Sequence, residues 1–129
     1  MYLLLIALFV FFAVCIYEPT NDGDWNNTLC LSGPYYNSSF GNAIDIYGPY
    51  LVVGAPNIRG THGAVYVYKQ LGYGNWTLYQ VLESVTGFNS QFGYSVSIHN
   101  TTIAVGAVGF RSQTFGALGR GKTSCIKMY

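Results

Sequence analysis

The stretch Asn37-Ser38-Ser39-Phe40-Gly41-Asn42-Ala43-Ile44-Asp45-Ile46-Tyr47-Gly48-Pro49-Tyr50-Leu51-Val52-Val53-Gly54-Ala55-Pro56 decides the reading of this chain, because it occurs twice. Asn37-Ser38-Ser39-Phe40-Gly41 returns as Asn89-Ser90-Gln91-Phe92-Gly93, an offset of 52 residues. The register then runs on without a gap. Ala43-Ile44-Asp45-Ile46 matches Ser95-Val96-Ser97-Ile98, and Leu51-Val52-Val53-Gly54-Ala55 matches Ile103-Ala104-Val105-Gly106-Ala107. An upstream tryptophan recurs as well, since Trp25 lies fifteen residues before Phe40 and Trp76 sixteen before Phe92. A period near fifty residues means stacked supersecondary units that bury their faces on one another.

Within one unit every segment has strand character. Ala43–Tyr47 alternates, Gly48-Pro49 turns, and Tyr50–Ala55 is a continuous apolar run of the buried type. After a loop over Pro56–Thr61, Ala64–Tyr68 reads AVYVY, and a Gly-rich turn leads into Trp76–Glu83. Four short antiparallel strands per unit predict an all-β chain of four-stranded β-propeller blades. Gly54-Ala55 and Gly106-Ala107 suit inner strands where units converge, while Phe40, Phe92, Trp25 and Trp76 would fill the wedges between them.

These motifs together resemble the FG-GAP repeats of integrin α-subunit propellers. The resemblance rests on Phe40-Gly41 and Phe92-Gly93, on Gly54-Ala55-Pro56 and Gly106-Ala107, and on GAVYVY at Gly63–Tyr68. It is closest to the variant with a tryptophan-bearing outer strand, NWTLYQVLES at Asn75–Ser84, and it covers roughly Trp25 to Leu118. The resemblance implies a non-enzymatic, adhesion-like protein that recognises an extracellular protein or glycan. It further implies binding through loops on one face, here Asn57–His62 and Gly109–Thr114. Integrin-type repeats often carry a calcium loop between the two motif strands. Here Tyr47-Gly48-Pro49-Tyr50 and His99-Asn100-Thr101-Thr102 occupy that place without a carboxylate. Calcium needs six to eight oxygens, several of them charged, so no calcium or other cofactor is expected. Fewer than two of the units of a complete propeller are present. A truncated or vestigial fragment that assembles with other blades or copies of itself is therefore the alternative, as is the propeller part of a larger exported enzyme.

The rest of the chain divides around the repeat. Half of the 129 residues are apolar, but the excess is concentrated in Met1–Tyr17, which holds no charged side chain. A helix of that length spans roughly 25 Å, short of the ~30 Å hydrocarbon core. Residues 1–15 therefore read as a signal peptide cleaved after Cys15. An uncleaved signal anchor to about Tyr17, or a buried core helix, is the alternative. Residues 16–24 are then a linker, and 25–39 the outer-strand region of a preceding partial blade. Repeat 1 covers 40–91, partial repeat 2 covers 92–118, and 119–129 form a divergent tail.

Cleavage would leave Cys30 and Cys125, a possible pair in an oxidising compartment whose long loop would contribute ~4–5 kcal/mol. Four sequons, at Asn26, Asn37, Asn75 and Asn100, are glycosylation candidates that agree with export to the cell surface or beyond.

Charge excludes one class of partner. Six Lys+Arg against five Asp+Glu give a net charge of +1, so there is no basic footprint for nucleic acid. Membrane attachment is expected only through an uncleaved N-terminal segment. Gly116–Thr123 satisfies the P-loop spacing, but only six residues follow Thr123, too few for the helix that would cradle a phosphate. Asp45 and Glu83 are single carboxylates on polar strand faces, and His62 and His99 have no carboxylate at a useful spacing. No metal site and no catalytic constellation can be assembled.

Overall fold

A computed structural model describes residues 12–58, 62–84 and 90–109. The described residues are all-β. They form eight antiparallel strands and no helix. The strands are β1 (Ala13–Pro19), β2 (Trp25–Ser32), β3 (Ala43–Tyr47), β4 (Tyr50–Ala55), β5 (Ala64–Gly72), β6 (Asn75–Glu83), β7 (Phe92–His99) and β8 (Thr102–Ala107). They make three separate sheets: the hairpin β1–β2, the four-stranded sheet β3–β4–β5–β6, and the hairpin β7–β8.

The pairing registers show that the two hairpins are copies of the halves of the central sheet. In β3–β4, Ala43 faces Gly54, Ile46 faces Leu51 and Tyr47 faces Tyr50; in β7–β8, Ser95 faces Gly106, Ile98 faces Ile103 and His99 faces Thr102. Every pair is displaced by 52. In β5–β6, Ala64 faces Glu83, Val67 faces Gln80 and Tyr68 faces Leu78; in β1–β2, Ala13 faces Ser32, Ile16 faces Leu29 and Tyr17 faces Asn27. Every pair is displaced by 51, and the irregularity at Val67/Tyr68 recurs at Ile16/Tyr17. The described residues thus comprise half a unit, a whole unit, and half a unit.

Two apolar cores lie on opposite faces of the central sheet. One joins Leu51, Val53, Ala55, Ala64, Tyr66, Tyr68 and Trp76 to Val14 and Phe40, with Ile16, Leu29 and Leu31 packed against it. The other joins Val52, Val65, Val67 and Leu82 to Phe92, Ile98, Val105 and Ala107. Alternation along β4 and β5 supplies both faces, which explains their unbroken apolar runs. β6 serves both cores as well, sending Trp76 to one and Leu82 to the other. The irregularity in the β5–β6 register permits this, because one extra residue on a strand inverts its alternation. Fully buried Val52, Val53, Val65 and Val105 form the centre of these cores.

β1 corrects the reading of the first twenty residues. Ala13–Pro19 is a strand, so the helix expected as far as Tyr17 and the linker expected over 16–24 are not formed there. A cut after Cys15 would divide β1 and remove one half of a disulfide. Cys15 bonds Cys30 across the hairpin, with Cα atoms 4.0 Å apart. Cys30 is therefore not free to pair with Cys125, which lies outside the described residues, as do residues 1–11. The physical reason is that AVCIYEP (Ala13–Pro19) is the counterpart of AVYVYKQ (Ala64–Gln70), and Val14 is buried as Val65 is. The apolar strand and the apolar stretch before it run together in sequence. The tail 119–129 and the P-loop-like Gly116–Thr123 also lie outside the described residues.

Candidate functional site

The repeat-motif residues form the contacts between units. Phe40 is buried and meets Tyr66 and Tyr68 edge-on, at ring-centroid distances of 5.5 and 6.5 Å. Phe92 is buried at the corresponding place in the second core. The residues around each phenylalanine adopt matching backbone shapes. Ser39 and Gln91 have φ of 54° and 48°, and Gly41 and Gly93 have 89° and 91°. Asn42 N–H donates to the Ser39 carbonyl as Tyr94 N–H donates to that of Gln91, at 3.0 and 3.1 Å. Asn57 N–H to Ser38 and Gly109 N–H to Ser90 repeat in the same way, both at 3.1 Å.

Gly54 shows why this position takes no side chain: a Cβ there would stand 2.0 Å from the Gly93 carbonyl oxygen. At Gly106 the nearest obstacle is only the Ser95 hydroxyl. Ala55, Pro56 and Ala107 are buried beside these positions.

Residues one period apart are neighbours across β3 and β7. Asn42 Nδ2 donates to the Tyr94 carbonyl at 2.8 Å, and Tyr47 and His99 rings lie 4.9 Å apart. Asp45, expected on a solvated face, instead links two units. Its Oδ2 accepts from Ile98 N–H at 2.8 Å and Ser97 Oγ at 3.1 Å, and its Oδ1 from Ile46 N–H at 2.9 Å. The Ile98 amide, helped by the Ile46 amide and the Ser97 hydroxyl, holds the carboxyl below its ordinary value despite an opposing desolvation. Glu18 does comparable work on the outer hairpin. It is buried, and its carboxylate accepts from Gln70 Nε2 and from Gly74 N–H, the latter at 2.7 Å.

A row of rings at the turn end of these strands is the surface best suited to contact a partner. Tyr47 and Tyr50 are directly opposed across β3–β4, and His99 extends the row to β7. Tyr50 and Tyr79 meet edge-on at 5.9 Å, with Lys69 Nζ 5.6 and 5.8 Å from their ring centroids. Tyr47 and Tyr79 remain 42% and 61% exposed. Rigid amphipathic rings with a cation offer contact area at low entropic cost. The sequence hid this row because its members sit on four strands.

The loop candidates are less complete. Asn57 is exposed, and its side chain donates to Ser39 Oγ at 2.7 Å; residues 59–61 and 110–114 lie outside the described residues. Asn26, Asn37, Asn75 and Asn100 are all exposed, the second and fourth in turns with positive φ. Among the described residues, no three His, Cys, Asp or Glu side chains converge as a metal site would require. Glu83 ends β6, and His62 lies in the turn before β5. Compared with known proteins, the chain matches no protein-family model and no curated sequence.

Proposed function

We propose that this chain is a non-enzymatic recognition module built from β-propeller blades of the FG-GAP type, exported to the cell surface or secreted, and that it binds an extracellular protein or glycan. The observation that carries the reading is the repetition of pairing register, positive-φ turns and core positions at 51–52 residues. Units that pack face to face with equivalent residues touching along β3 and β7 fit rotation about an axis beside those strands, the arrangement of propeller blades. Binding is assigned to the Tyr47, Tyr50, Tyr79, His99 and Lys69 row; the loop candidates Asn57–His62 and Gly109–Thr114 fall partly outside the described residues. The exposed sequon asparagines and the Cys15–Cys30 disulfide support an oxidising destination.

The test is binding of the purified full chain to a glycan array and a panel of extracellular-matrix proteins, repeated with Tyr47→Ala and Tyr79→Ala. Saturable binding lost at least tenfold in both variants, with unchanged circular dichroism, is the expected result. Equal binding by wild type and variants would remove the row from the function. Absence of any saturable ligand on both panels would count against recognition as the role.

A further inference from the structure

Among the described residues, two strand edges carry no partner, and they are complementary. Among the described residues, β1 pairs only with β2, and β8 only with β7. Yet in the central sheet the counterpart of β8, strand β4, pairs with the counterpart of β1, strand β5, over six consecutive residue pairs. Each edge therefore carries the sequence of a strand that this same chain pairs elsewhere. The two edges cannot meet within one molecule, because the four-stranded sheet stands between their hairpins.

We infer that copies of this chain join head to tail, the β8 edge of one copy pairing with the β1 edge of the next to form a composite four-stranded sheet β7–β8–β1–β2. Shifting the β4–β5 register by one period fixes the pairing. Ala55–Ala64 becomes Ala107–Ala13, Gly54–Val65 becomes Gly106–Val14, and Leu51–Tyr68 becomes Ile103–Tyr17. Strand addition supplies backbone hydrogen bonds, while alternate side chains fix the register. Because the two surfaces differ, the contact is heterologous and propagates to a ring or an open array.

A second observation points to the same partner. Ile44 and Ile46 are both 56% exposed on the face of β3 that looks toward the first hairpin, whereas Ile98, the counterpart of Ile46, is 7% exposed. Ile98 is covered by Val52, Val65 and Val67 of the preceding unit; among the described residues, Ile46 is preceded by an outer hairpin without the strands equivalent to β3 and β4. The β7–β8 hairpin of another copy, seated beside β1, supplies the missing inner half and lays the counterparts of Tyr50 and Val52, namely Thr102 and Ala104, over Ile44 and Ile46. Gly106 then approaches Gly41 of the next copy as Gly54 approaches Gly93. An open apolar edge of this kind is otherwise a liability that folded chains cover. The inference rests on the repeat geometry and is independent of which ligand the protein recognises.

Light scattering on the full chain gives the first readout. Wild type runs at a multiple of its 14.2 kDa mass, whereas Gly106→Ala and Ile44→Lys raise the dissociation constant at least tenfold with unchanged strand dichroism. The second readout is register. In a Cys125→Ser background, Tyr17→Cys and Ile103→Cys proteins are mixed and mildly oxidised. A covalent pair containing one of each is expected, and Tyr17→Cys mixed with Val108→Cys gives none. A wild type that stays monomeric at 100 µM overturns the inference, as does crosslinking without regard to register. So does association that survives Gly106→Ala.

Discussion

Gly54 and Gly106 occupy the same position of the repeat, yet adding one methyl group to each has unequal consequences. An alanine Cβ at 54 would lie 2.0 Å from the Gly93 carbonyl oxygen, where ordinary contact begins at 3.4 Å. The segment carrying Gly93 would have to retreat by about 1.4 Å, and it is backbone rather than a side chain that can rotate away. It is also tethered, because Phe92 N–H donates to the His62 carbonyl at 3.1 Å and Tyr94 N–H to that of Gln91 at 3.1 Å. Overpacking of this kind costs up to about 3 kcal/mol. With about 4 °C lost per kcal/mol for a chain of 129 residues, Gly54→Ala lowers the melting temperature by up to about 12 °C.

At 106 the obstacle is the Ser95 hydroxyl, 2.1 Å away, on an exposed side chain that moves to another rotamer; the Ser95 Cβ and carbonyl at 3.4 and 3.7 Å are ordinary contacts. Gly106→Ala therefore changes stability by less than about 1 kcal/mol. Thermal melts followed by circular dichroism in an Ile44→Lys background, which removes any contribution from association, make the comparison. Equal losses for the two variants, or a Gly54→Ala loss below about 1 kcal/mol, would refute the packing of β7 on β4.

Three further outcomes test other contacts. Val14→Ala is expected to cost about 2 kcal/mol, near the cost of Val65→Ala, because the two valines hold corresponding places in the two cores; a silent Val14→Ala in urea unfolding would mean that β1 does not pack. Reduction of Cys15–Cys30, which closes a separation of 15 residues, is expected to remove about 3 kcal/mol, and a denaturation midpoint indifferent to reductant would contradict the pairing. Asp45 has a folded pKa below its unfolded value of 3.8. Its stabilisation is therefore complete above pH 4 and is lost as pH falls through the folded value. Solvent access limits that contribution to under about 1 kcal/mol. Asp45→Asn should flatten the acid limb of the stability profile below pH 4; an acid limb identical to that of the wild type would dismiss the link from Asp45 to Ile98.

The sequence carried the period and the strand types, because glycine, aromatic and apolar residues recur at fixed spacing and because each motif acts within a few residues of chain. Ala13–Pro19 was misread for a physical reason. A buried strand and an export leader share an apolar composition, and Ala13–Pro19 follows directly on an uncharged apolar stretch. The available signal was the match of Ala13-Val14 and Tyr17 to Ala64-Val65 and Tyr68, with Ala13 and Ala64 each twelve residues before a tryptophan, Trp25 and Trp76. Asp45 was legible as a strand residue but not as a link between units, since its partners, Ser97 and Ile98, depend on β3 lying beside β7. The ring row was hidden likewise: Tyr50 and Tyr79 are 29 positions apart in sequence and 5.9 Å apart in space.

Both cores use the same cast of positions, so a duplication or deletion of one period leaves matched surfaces wherever its breakpoints fall. A gene built this way can lengthen or shorten its protein by whole periods without redesigning a single interface.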